Sequence, residues 1–82
     1  MAQQEVHKTI SLIDNEIRQK ETGSPIELAG RLHMSVRMLY FYLDMMDCLG
    51  ARIIFSKQLN SFVYQQGGFF KDGIRWIEYQ RV

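Results

Sequence analysis

The sequence predicts an α+β fold, three helices followed by antiparallel strands, and three observations carry that expectation. Val6, Ile10, Ile13 and Ile17 recur at intervals of 4, 3 and 4 residues, which sets them on one face of a helix. Residues 24–50, SPIELAGRLHMSVRMLYFYLDMMDCLG, hold two helix starts and a helix stop. After Gly50 the chain turns β-branched and aromatic, broken by polar and glycine-rich turns.

The first helix is expected over residues 3–21, with Leu12 off the apolar stripe and available to pack on a neighbour. Thr22-Gly23-Ser24 ends it. Ser24 can then cap a second helix over residues 25–32, because Pro25 suits a first helical turn and Glu27 completes Ser-x-x-Glu. Leu28, Ala29 and Leu32 face inward there, and the small Ala29 lets two helices approach closely. His33-Met34 forms the turn. Position 33 favours Gly or Asn for a left-handed conformation, and His is a tolerated substitute.

Ser35 caps the third helix, residues 36–48, and Gly50 fits its stop. At about 100° per residue, Val36, Leu39, Leu43 and Met46 share one arc, with Tyr40 and Tyr42 on its borders. Phe41 and Cys48 point nearly opposite, flanked by Met38 and Met45 on one side and by Arg37 and Asp44 on the other. Residues 52–56 (RIIFS) and 61–65 (SFVYQ) read as a hairpin around the polar turn 57–60 (KQLN). Gly67-Gly68 breaks it. Asp72-Gly73 signals a second hairpin turn, so residues 69–71 and 74–80 read as further strands. A helix with Phe70, Ile74 and Ile77 inward is the alternative. Together these make one domain over residues 1–82, with a core at about 5–65 and an extension over 69–82.

A hydrophobic fraction of 46% is that of a globular chain rather than a disordered one. No apolar run approaches the ~18 residues of a membrane span. The start MAQQEVHKTI lacks the basic residues and apolar run of a signal peptide. One cysteine excludes an internal disulfide and fits a reducing compartment, so the expectation is a cytoplasmic protein. Two histidines and one cysteine form no metal set, and neither a metal nor a cofactor is expected. Net charge is +1; residues 31–60 hold four basic and two acidic groups, against three and five in residues 1–30. So slight a basic bias predicts weak, salt-sensitive affinity for DNA.

The order helix, Thr-Gly-Ser-Pro, helix, turn, helix, Leu-Gly-Ala, hairpin resembles the winged helix-turn-helix domains of bacterial transcription regulators, of the deoxyribose-operon repressor type. The matching residues are 22–25, Glu27-Leu28-Ala29, Leu32, Ser35, Arg37, Leu39-Tyr40, Tyr42-Leu43, Leu49-Gly50-Ala51 and the hairpin over 53–64. The resemblance implies a third helix in the major groove, a wing on the phosphates and no catalysis. Carried over by residue, Ser35 would bond a phosphate and Arg37 a base edge or phosphate. Tyr40 would reach the backbone through its hydroxyl. Lys57 would sit in the wing, and Arg31 would reach a phosphate from the second helix. Each has a plainer role open to it: a cap for Ser35, a partly buried ring for Tyr40, a solvated charge for Arg31 and Lys57.

Two positions depart from the pattern. The family commonly has Thr where Met38 stands and Arg where Phe41 stands, and neither Met nor Phe can supply their hydrogen bonds. Phe41 retains only an apolar contact to a thymine methyl. Met38, Phe41, Met45 and Cys48 thus form a second apolar stripe, suited to a dimer mate or protein partner if exposed, or covered by the tail or first helix if not. The leading expectation is a transcription regulator that binds double-stranded DNA. The alternative is a winged helix converted to protein–protein contact or dimerisation. No nucleophile–base pair, phosphate loop or paired carboxylates point to an enzyme, and no catalytic residue is expected.

Overall fold

Three helices, α1 (Ala2–Gln19), α2 (Pro25–Arg31) and α3 (Val36–Cys48), precede two antiparallel hairpins in the computed structural model, which describes residues 2–80. The first hairpin pairs β1 (Ile53–Ser56) with β2 (Ser61–Tyr64), and the second pairs β3 (Gly68–Lys71) with β4 (Arg75–Glu78). Each hairpin is a sheet of its own. This α+β arrangement is compatible with a winged helix. Arg81 and Val82, the end of the expected extension, lie outside the described residues.

The core forms where the sequence stripes converge. Ile10, Ile13 and Ile17 of α1 are buried with Leu28 and Ala29 of α2, Leu39, Leu43 and Met46 of α3, and Phe62 of β2. Val6, Leu32 and Val36 pack partly against them. Leu12 is instead half exposed, because α1 turns only its isoleucine face to its neighbours. The expected capping box closes α2: Glu27 N donates to Ser24 Oγ at 3.2 Å, and Ser24 N donates to Glu27 Oε1 at 2.9 Å. His33 takes the left-handed turn position, with φ of 58°.

Small polar residues tie the first hairpin to the helices. Thr22 N donates to Ser61 Oγ at 3.0 Å, and Phe62 N donates to Thr22 Oγ1 at 2.9 Å. Ser61 and Thr22 are both fully buried, and each amide finds a partner that water cannot supply there. At the far end of β2, Tyr64 Oη donates to Asp14 Oδ1 of α1 at 2.6 Å. Arg18 Nε donates to the other oxygen of Asp14 at 3.1 Å, and its guanidinium lies 5.6 Å from the Tyr64 ring.

The tail is a hairpin, not the alternative helix. Asp72 and Gly73 both have positive φ, 56° and 81°, and Ile74 N donates to Lys71 O at 3.3 Å. The loop holds residues 72–74 between the paired Lys71 and Arg75, and Asp and Gly tolerate its two left-handed positions. The hairpin runs along α1. At one end Arg18 Nη2 donates to Gly68 O at 2.7 Å; at the other, a Cβ on Gly73 would meet the His7 side chain. Gly68, expected in the break between hairpins, opens β3. A Cβ there would lie 2.4 Å from Ile77 O and 2.6 Å from the Trp76 ring, so only glycine fits. The Trp76 ring packs 4.6 Å from Tyr64 and 5.0 Å from Phe70 and reaches Gly50.

The molecule measures 38 × 37 × 18 Å, so a single layer of core leaves every element a face in solvent. Among the described residues no helix is long and apolar enough to cross a membrane.

Candidate nucleic-acid interface

The turn between α2 and α3 is closed by its own backbone. His33 N donates to Gly30 O and Met34 N to Ala29 O, at 3.2 and 3.0 Å. Ala29 and Leu39 are buried, which sets the two helices close together. Ser35 then caps α3, its Oγ accepting from Met38 N at 3.0 Å. The resulting amino-terminal turn of α3 projects Arg37, Met38 and Phe41 outward, all exposed.

These side chains and Ser35 line a shallow depression of about 240 Å³ whose walls are almost wholly apolar. It is smaller than the ~300–1,000 Å³ of small-molecule sites. Phe41 is 58% exposed and Met38 47%, so neither α1 nor the tail covers this end of the stripe. The Phe41 ring is nonetheless held: it lies edge-on to Tyr42 at 5.6 Å and 83°, and Tyr42 packs against the core. Met45 divides from the other two, because it is partly buried against the core, while Cys48 is exposed.

The expected contact residues are all exposed, and one of them is tied to neighbouring elements by its own bonds. Arg37 and Lys57 are exposed, and among the described residues neither has a carboxylate within ion-pair distance. Lys57 opens the turn of the first hairpin. Tyr40 is 44% exposed rather than partly buried, with its ring edge-on to Phe62 at 6.4 Å. Phe55 continues that row 5.1 Å from Phe62, so rings brace the first hairpin against α3. Arg31 is held otherwise: its Nη2 pairs with Glu16 at 2.8 Å and donates to Thr22 O at 2.7 Å. It joins α2 to α1 and the loop between them.

Charge along α3 is graded. Arg37 lies at the amino-terminal end, where the helix dipole is also positive. Asp44 and Asp47 lie at the other end, beside a hollow shared with Tyr40, Ile53 and Phe62. Asp47 also accepts from Ile53 N at 3.1 Å, fixing the entry of β1. An anionic ligand therefore fits the first turns of α3 and is repelled from the last.

A second exposed surface escapes the sequence reading. The register sets Phe69, Lys71, Arg75 and Ile77 on one face of the second hairpin, with the Phe69 and Tyr79 rings 5.9 Å apart. Among the described residues no group of three or more His, Cys, Asp and Glu could hold a metal ion. Searches against protein-family models, curated proteins and solved structures find no match for this chain.

Proposed function

We propose that this chain is a winged helix-turn-helix domain that binds double-stranded DNA as part of a transcription regulator, without catalysis. One observation carries the reading. The capped amino-terminal turn of α3 and the turn of the first hairpin each present an exposed cation, Arg37 and Lys57, with no carboxylate at ion-pair distance among the described residues. In helix-turn-helix proteins the second helix enters the major groove amino-terminal end first, and a flanking element meets the backbone. Arg37 then faces a base edge or phosphate, Lys57 a phosphate, and Tyr40 offers its hydroxyl to the backbone.

Two such cations release few counterions, so one copy binds weakly, with a shallow slope of affinity against salt. Fluorescence anisotropy with a mixed-sequence duplex at low salt tests the reading. Saturable, salt-sensitive binding supports it. No binding at micromolar protein counts against it.

The exposure of Met38 and Phe41 favours a second reading, a contact surface for another protein. A mass in solution that rises with concentration in the native chain, and not in Phe41→Asp, would favour that reading.

A further inference from the structure

We infer that the outward face of the second hairpin binds single-stranded nucleic acid, with a base in the hollow beside Tyr79 and phosphates on Lys71 and Arg75. Lys71 and Arg75 are paired directly across the two strands, and both are exposed. Like charges so placed repel one another, and an anion between them relieves the repulsion. Among the described residues neither has a carboxylate within ion-pair distance. Further along the same face the Phe69 and Tyr79 rings lie 5.9 Å apart at 33°. The Tyr79 ring is held over Gly67, where a Cβ would stand 3.0 Å from it. Beside it opens a hollow of about 400 Å³, lined by Gln65, Gln66, Gly67, Tyr79 and Gln80. That volume lies within the ~300–1,000 Å³ of small-molecule sites.

The hollow, the rings and the cations call for the same occupant. Aromatic rings beside cations hold bases and backbone together in sequence-tolerant single-strand sites. A glutamine amide carries both donors and an acceptor, so three of them around one ring suit the edge of a flat base. A duplex keeps its base faces stacked and its edges paired, so only an unpaired base can enter. The strip from Tyr79 to Arg75 is ~13 Å long. That is the scale of a few nucleotides rather than of a duplex turn of ~34 Å. A second copy of the chain offers nothing to the cations through this face, which carries no carboxylate: Asp72 lies in the turn and Glu78 on the opposite face. An acidic peptide answers the cations but leaves the hollow of ring and amides without a partner. None of these residues belongs to α3, so the inference stands apart from duplex binding by that helix.

The test titrates a short labelled oligothymidylate, the same strand with every base removed, and an oligoglutamate. The native chain should bind the abasic strand about tenfold more weakly, for the stacking it loses, and the oligoglutamate more weakly than the oligothymidylate. Tyr79→Ala, an exposed change, should bind the two strands alike. Arg75→Gln should weaken binding to both strands and lower the salt slope by about 0.7. Circular dichroism of both variants should stay that of the native chain. Amide shifts on adding oligothymidylate should change over residues 65–80 and hold over 35–41. Equal affinity of the native chain for the two strands overturns the inference, and so does oligoglutamate binding as tightly as the oligothymidylate. No binding at low salt, or shifts confined to 35–41, also overturns it. Each of these results leaves the duplex reading standing.

Discussion

Ser61 Oγ accepts the Thr22 amide at 3.0 Å inside the core, joining the loop between α1 and α2 to the start of β2. Thr22 returns the bond through its own hydroxyl, which accepts from Phe62 N. The pair sets where the first hairpin leaves the helices, and hence where Lys57 stands relative to α3. Ser61→Ala strands the Thr22 amide without water or partner. Urea denaturation should show a loss of ~1–3 kcal/mol, the cost of an unsatisfied buried donor. A loss too small to measure would mean that the loop relaxes to reach solvent.

Gly68 and Trp76 make the corresponding joint for the second hairpin. Gly68→Ala puts a methyl group into the Trp76 ring and the Ile77 carbonyl. The strand must shift, releasing Trp76 from Tyr64 and Gly50. Trp76 is the single tryptophan, so its fluorescence reports the change directly. Emission should move to longer wavelength, as for an indole gaining water. An unchanged spectrum would show that the hairpin absorbs the methyl without moving.

Two groups give stability a pH dependence at opposite ends. Burial, and then the hydrogen bond to Asp14, push the Tyr64 phenol above its ordinary range. The unfolded chain loses that proton near pH ~10, and the folded chain only higher. The stability Tyr64 contributes is therefore intact below pH ~10 and is lost as pH rises toward the folded value. Glu27 is the reverse case. The Ser24 amide, then the Ser24 side chain, holds its carboxylate below the usual range. Its contribution is present above the unfolded value near ~4.3 and is lost as pH falls through the folded one. Melting temperatures of Tyr64→Phe and Glu27→Ala, each relative to the native chain, should converge on it at alkaline and acid pH respectively. A difference constant across pH would contradict the linkage.

Arg37 and Lys57 should separate by the kind of contact each makes. Lys57→Ala should weaken binding to all duplexes alike and lower the salt slope by about 1. Arg37→Ala should cost ~1–3 kcal/mol and relax preference at one base pair, if its partner is guanine. Anisotropy titrations over a range of salt distinguish the two. Identical effects of both substitutions on every duplex would remove base reading from Arg37.

The helical half of the fold was legible because its signals are local. The 4-3-4 stripe of α1, Ser24 and Glu27 of the capping box, and the left-handed His33 each act within a turn or two of chain. The strands and the Asp72-Gly73 turn were legible for the same reason. Where the second hairpin docks was not, because its anchors join residues far apart in sequence: Arg18 with Gly68, Trp76 with Gly50. The Thr22–Ser61 joint was equally hidden, since two small polar residues carry no pattern until folding brings them together. At the candidate site, helical spacing identified the outward stripe of α3. It did not show that Met45 leans into the core while Met38 and Phe41 stay in solvent. Nor did it show that Arg31 is held by Glu16 and Thr22.

The most direct test of DNA contact by α3 and the first hairpin is a map of amide chemical shifts during titration with mixed-sequence duplex at low salt. The account predicts the largest changes over residues 35–41 and 57–60, with little change over 68–78. No changes, or changes confined to the second hairpin, would contradict it.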